Sequence, residues 1–125
     1  MVPDSKFVDR YLEAKTASEP SYPFGPDARV YKVLDKMFAL VALREGKLCV
    51  SLKGEPSDLE VLVSQFKGIT PGYHLNKKHW VTVSLESDVP EALLIDLMDR
   101  SYNIVVSKMT KAHRNRLALL ESGAD

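Results

Sequence analysis

The sequence predicts an α+β fold: a two-layer arrangement with one antiparallel β-sheet and its helices packed on a single face. The expected order is helix, three strands, helix, two strands, helix. Three observations predict it. Apolar residues recur at helical spacing in separated stretches. Between those stretches they alternate with polar residues, as on a half-buried strand. Successive strands are joined by links too short for a parallel crossover, and helices and strands do not alternate regularly as βαβ units would require.

The 125 residues suit one domain, 1–125. A chain of this size buries roughly two-thirds of its unfolded surface, enough for a core without disulfide staples. Asp4 and Ser5 are good N-cap types. Phe7, Val8, Tyr11 and Leu12 then mark a first helix, running to about Ala17. Residues 18–26 hold three prolines and one glycine, which excludes helix or central strand. A rigid connecting loop pinned by Phe24 is expected there.

From Arg29 to Lys53 the period is two. Val30 to Leu34 form one strand and Met37 to Leu43 a mostly buried second. Glu45-Gly46 is a tight turn, and Leu48, Val50 and Leu52 alternate with polar neighbours in a third strand. Pro56 and a Ser57-x-x-Glu60 capping box open a second helix, whose stripe is Leu59, Leu62, Val63 and Phe66 and whose stop is Gly68. Ile69 to His74 and His79 to Leu85 read as two further strands. Asp88 and Pro90 start a long helix carried by Leu94, Leu97, Met98, Val105 and Met109. A basic, partly helical tail follows, about residues 110–125.

No apolar run approaches the ~20 residues of a membrane span, so no membrane partner is expected. Met1 to Lys6 lack the pattern of a secretory signal. Cys49 is the only cysteine, which fits a reducing, cytoplasmic compartment. Net charge is zero, yet Val61–Leu85 and Arg100–Leu120 contain no acidic residue and hold eight of the seventeen cations and all three histidines. If these windows meet in space, the molecule has a basic region, and such asymmetry bears on partners.

The densest stretch is Pro71-Gly72-Tyr73-His74-Leu75-Asn76-Lys77-Lys78-His79-Trp80-Val81-Thr82-Val83. With Met37-Phe38-Ala39, Val50-Ser51-Leu52-Lys53 and Ser101-Tyr102, it resembles the signature of the YjbR/MmcQ family over nearly the whole chain. The resemblance implies an α+β fold similar to the frataxin (CyaY-like) and secretion-chaperone folds, and a "double-wing" mode of DNA binding in which sheet loops act as wings. The chain departs from the family pattern at Glu86-Ser87, where members often carry Asp-Gly, and at Met109-Thr110, where they often carry Leu-Pro.

Two readings fit the motif. Lys77 and Lys78, with Asn76 beside them, can reach phosphates from an exposed loop. His74 and His79 flank them and add charge below about pH 6.5. Alternatively the lysines only blunt a sheet edge. Trp80 shares a strand face with Thr82 and Ser84, where it is either a platform for stacking or a protein partner or is covered by a loop or the tail. The DNA reading takes Tyr73, His74, Asn76, Lys77, Lys78, His79 and Trp80, with Lys111, Arg114 and Arg116 of the tail. Its expected affinity is modest and salt-sensitive, because net charge is zero. The alternative is a protein adaptor using the face around Trp80.

His74-x4-His79 supplies too few ligands for zinc, and no carboxylate stands near it in sequence. No metal or cofactor is expected. No nucleophile, Walker or metalloprotease motif is present, so the expectation is a binding protein and not an enzyme.

Overall fold

The computed structural model describes residues 5–123. Asp4, the first of the two N-cap candidates, lies outside them, as do the last two residues of the basic tail. The elements are α1 (Ser5–Glu13), β1 (Ser18–Ser21), β2 (Ala28–Val33), β3 (Lys36–Arg44), β4 (Lys47–Lys53), α2 (Pro56–Gln65), β5 (Ile69–Pro71), β6 (Trp80–Ser84), α3 (Glu91–Ser107) and α4 (Lys111–Glu121). The six strands form one antiparallel sheet in the order β1-β2-β3-β4-β6-β5. The α+β architecture expected from the sequence is thus the one observed.

Strand pairing sorts side chains onto two faces. Val41 opposes Val50, Ala39 opposes Leu52, and Val50 and Leu52 oppose Val83 and Val81. These residues are buried with Val8 and Leu12 of α1, Leu59 of α2 and Leu94, Leu97 and Met98 of α3. The other face presents Leu40, Ala42, Cys49, Ser51 and Thr82, and no helix lies in the pocket they line. Burying each large aliphatic side chain of the covered face contributes about 1.5–3 kcal/mol.

Two hairpins close with left-handed residue pairs. Glu45 and Gly46 have φ of 52° and 76°, and Leu34 and Asp35 have 45° and 69°. Both match the two-residue turns whose twist suits antiparallel strands. The sequence signals only the first, since Leu34 is an unusual residue for such a turn.

Five local expectations are corrected. The 18–26 segment begins with an edge strand, in which Pro20 is tolerated because β1 pairs on one side only. Phe24 pins nothing: it is 74% exposed. Helix α2 is capped at Glu55 without a side-chain bond, so Pro56 at its first turn does the work expected of the Ser57-Glu60 box. Asp88 does not cap α3; its carboxylate accepts from the backbone N–H of Lys67 (2.9 Å) and Gly68 (2.8 Å). These bonds hold the Asp88 carboxyl below its usual range. The tail contains a full helix, α4, which Thr110 caps by accepting from the His113 N–H at 3.2 Å.

Candidate nucleic-acid interface

Residues 72–79 form a loop longer than the four-residue tip expected, because β5 stops at Pro71 and β6 starts at Trp80. The loop is tied into shape by its own backbone. Gly72 N–H donates to the Trp80 carbonyl (2.9 Å), and the N–H groups of His79 (3.3 Å) and Trp80 (3.0 Å) both donate to the Asn76 carbonyl. The Asn76 side chain accepts from Lys78 N–H at 2.9 Å, a local turn that Asn favours. Gly72 is required sterically, since a Cβ there would lie 2.8 Å from the Trp80 Cβ. His74 sits in left-handed backbone, φ 61°, with its ring 4.0 Å from that of Tyr73.

The candidate residues separate accordingly. Lys77 and Lys78 are exposed, but the Lys77 ammonium donates to the Gly72 carbonyl at 2.9 Å, so Lys78 is the freer of the two. Asn76 shapes the loop. Trp80 does share its face with Thr82, as alternation requires, but it is only 8% exposed. It is therefore no open platform for stacking. His74 and Tyr73 are exposed at the loop, and His79 is half-buried beside Trp80. His74 and His79 gain no third ligand: no group of three His, Cys, Asp or Glu that could hold a metal occurs among the described residues.

The tail divides in the same way. The Arg114 guanidinium donates to the carbonyls of Ser107 (3.2 Å) and Met109 (3.1 Å), capping the end of α3. Arg116 is exposed. Lys111 opens α4 beside Thr110 and is exposed.

The second acid-free window gathers cations that lie outside both windows. Arg100 pairs with Asp96 at 2.9 Å, and Lys67 lies at the far end of the sheet near Glu86 and Ser87. At the near end, however, a pocket is lined by Lys36, Lys53, Lys108 and His113, with Thr110 and the apolar Met37, Val105 and Met109. No acidic residue lines it. Lys53 ends β4 directly opposite Trp80, and Gly54 N–H donates to the His79 carbonyl at 3.0 Å, so this pocket adjoins the 72–79 loop. Ser101, fully buried, fixes the junction. Its hydroxyl accepts from Lys53 N–H at 2.8 Å and donates to the Phe38 carbonyl. Among the described residues, none of Lys36, Lys53, Lys77, Lys78, Lys108 or His113 forms an ion pair. Sequence reading missed Lys36 and Lys53 as site residues. Only the strand register could have found them, since both sit in segments that also carry acids.

The model of the YjbR family matches residues 13–104. The chain belongs to the YjbR family. Its Escherichia coli relatives include YjbR of strain K12, 36% identical over 111 residues that cover 89% of this chain and 94% of that protein. YbdF of E. coli O157:H7 is 37% identical over 99 residues, covering 79% of this chain and 81% of the relative. A crystal structure of a Deinococcus radiodurans protein of the DUF419 domain family matches with a TM-score of 0.85 and 38% identity, over 94% of this chain and 89% of that one. A crystal structure from Pseudomonas syringae matches at TM-score 0.73 and 25% identity, over 82% and 98% of the two chains. Among the described residues no helix of this YjbR-family chain is long and apolar enough to cross a membrane.

Proposed function

We propose that this YjbR-family chain is a small nucleic-acid-binding module that grips the phosphate backbone with one end of its sheet. The observation supporting this is the pocket of Lys36, Lys53, Lys108 and His113, free of acidic side chains and adjoining the loop that carries Lys77 and Lys78. Unpaired cations that need not break an ion pair are available to phosphates at little cost. Helix α4 also starts at this pocket, and the positive end of its dipole adds to the field. The contacts are to backbone, so sequence preference is weak. The chain's zero net charge keeps affinity modest. A double-wing placement, with the 72–79 loop as one wing, is the docking mode this reading adopts.

Fluorescence anisotropy with labelled duplex and single-stranded DNA tests it. Lys53→Ala/Lys108→Ala should lose most binding, and Lys77→Ala/Lys78→Ala a smaller part, with folds intact by circular dichroism. Unchanged binding in both variants sinks the reading. A protein adaptor is the alternative. With Trp80 buried, it would rest on Phe24 and Tyr73 of the helix-free side, which are 74% and 42% exposed. Its mark would be partner capture lost in Phe24→Ala while DNA affinity stays unchanged.

A further inference from the structure

The helix-free face carries a second pocket, of about 360 Å³, that phosphate binding does not use. Its floor is Leu40, Ala42 and Cys49 with the pair Ser51 and Thr82. The polar atoms of that floor are already satisfied. The Ser51 and Thr82 hydroxyls bond each other at 2.9 Å, and the Thr82 oxygen also accepts from Tyr73 N–H at 2.9 Å. The Cys49 thiol is held uncharged by burial. What the floor offers a ligand is therefore apolar surface.

Walls rise on two sides. Tyr73, His74 and Leu75 of the loop form one, and Phe24 stands at another with most of its ring in water. At the end of β3 the guanidinium of Arg44 closes the site. It lies 4.4 Å from the Tyr73 ring centre and donates one N–H to the Thr70 hydroxyl at 2.9 Å. A guanidinium has five N–H groups, so most of Arg44 is still unspent. Glu45 and Glu86 lie in the neighbouring depression beyond it, and neither forms an ion pair with Arg44. The result is an apolar slot with one fixed, unpaired positive charge at its end. Its volume lies at the small end of the range for small-molecule sites.

We infer that this slot binds a small amphipathic organic anion, its flat apolar body on Leu40, Ala42 and Cys49 and its single carboxylate on Arg44. Stacking on Tyr73 and the bond to Thr70 hold the guanidinium ready, which lowers the entropy lost on binding. A slot of this size admits a fused ring and not a helix or strand of a partner. The site does not depend on the phosphate-binding reading, because Arg44 and Lys36 stand at opposite ends of the nine-residue β3.

The test is titration of the protein with naphthoate, read by backbone amide chemical shifts, with the uncharged naphthylmethanol as control. Saturable shifts at Leu40, Ala42, Cys49 and Ser51 are expected. Affinity should fall about tenfold or more for the uncharged control and for Arg44→Gln, the scale of one charge-assisted bond. Ala42→Trp, which fills the slot, should abolish binding while leaving DNA binding intact. Equal naphthoate affinity in a folded Arg44→Gln protein overturns the inference. So do shifts confined to Lys36, Lys53 and Lys108, or shifts on this face produced by raising protein concentration alone, which would make a second copy its occupant.

Discussion

On the covered face of the sheet, Val41, Val50, Leu52, Val81 and Val83 lie in a closed layer with residues of all four helices. On the other face, Leu40, Ala42 and Cys49 lie under no helix, the polar pair Ser51 and Thr82 sits between them, and Phe24 stands exposed at the margin. The same strands build both faces, so alternation alone assigns each residue to one role. The covered face uses its apolar area for stability. The open face and the basic end of the sheet leave theirs unpaired, which a stability account does not explain and a binding account does. Lesions should therefore divide: those under the helices unfold the protein, and those elsewhere change binding and leave the fold intact.

Leu52→Ala should give the largest effect, a loss of about 2–5 kcal/mol, because it opens a cavity under α3. Leu43→Ala on the same meander should stay within about 0.5 kcal/mol, since Leu43 is exposed. Urea melts of the two variants check this, and equal losses would break the contrast between positions under the helices and positions beyond them.

Next comes a polar pair of comparisons. Ser101→Ala leaves the Phe38 carbonyl and Lys53 N–H without their buried partner, at a cost of about 1–3 kcal/mol. It should also weaken DNA binding, because it frees the strand end that carries Lys53. Ser51→Ala on the open face should cost less, about 1 kcal/mol or below, since Thr82 keeps its bond from Tyr73. Melts of both proteins with anisotropy on the first separate the two effects.

The smallest effect is a pH dependence. Asp99 is held below its usual range: burial pushes it up, but hydrogen bonds from Lys15 and Tyr11 outweigh that. Asp88 is lowered by the Gly68 and Lys67 N–H groups. A depressed carboxyl contributes stability that is present above its unfolded pKa, about 4, and is lost as pH falls through the folded value. Stability should thus decline below about pH 4, and Asp88→Asn should remove part of that slope. Melts between about pH 6 and 2 measure it. A slope unchanged in Asp88→Asn would remove Asp88 from the account.

Much of the covered face is legible in the sequence because it depends on periodicity. Leu48, Val50 and Leu52 alternate, and Leu94, Leu97, Met98 and Val105 keep helical spacing across α3. What depends on pairing between distant segments is not legible. The Leu34-Asp35 turn has no glycine to announce it. Gly68 looks like a helix stop, yet its requirement is a collision: a Cβ there would meet Ser87 Oγ at 2.0 Å. The candidate site shows the same limit. Lys77, Lys78 and Lys111 could be named from local composition. Lys36 and Lys53 are brought to Lys108 and His113 only because β3 starts and β4 ends at the same end of the sheet. For Trp80 the face is legible from alternation, while alternation leaves both an open platform and a covered ring possible; at 8% exposed the ring is covered.

The central claim is that unpaired cations at one end of the sheet bind phosphate. The most direct measurement is the salt dependence of duplex DNA affinity for the unmodified protein, by anisotropy between about 50 and 200 mM salt. Four phosphate contacts predict a log–log slope of about −3.6 and a loss of roughly a hundredfold over that range. A slope near zero, or no binding at the lowest salt, would contradict the account.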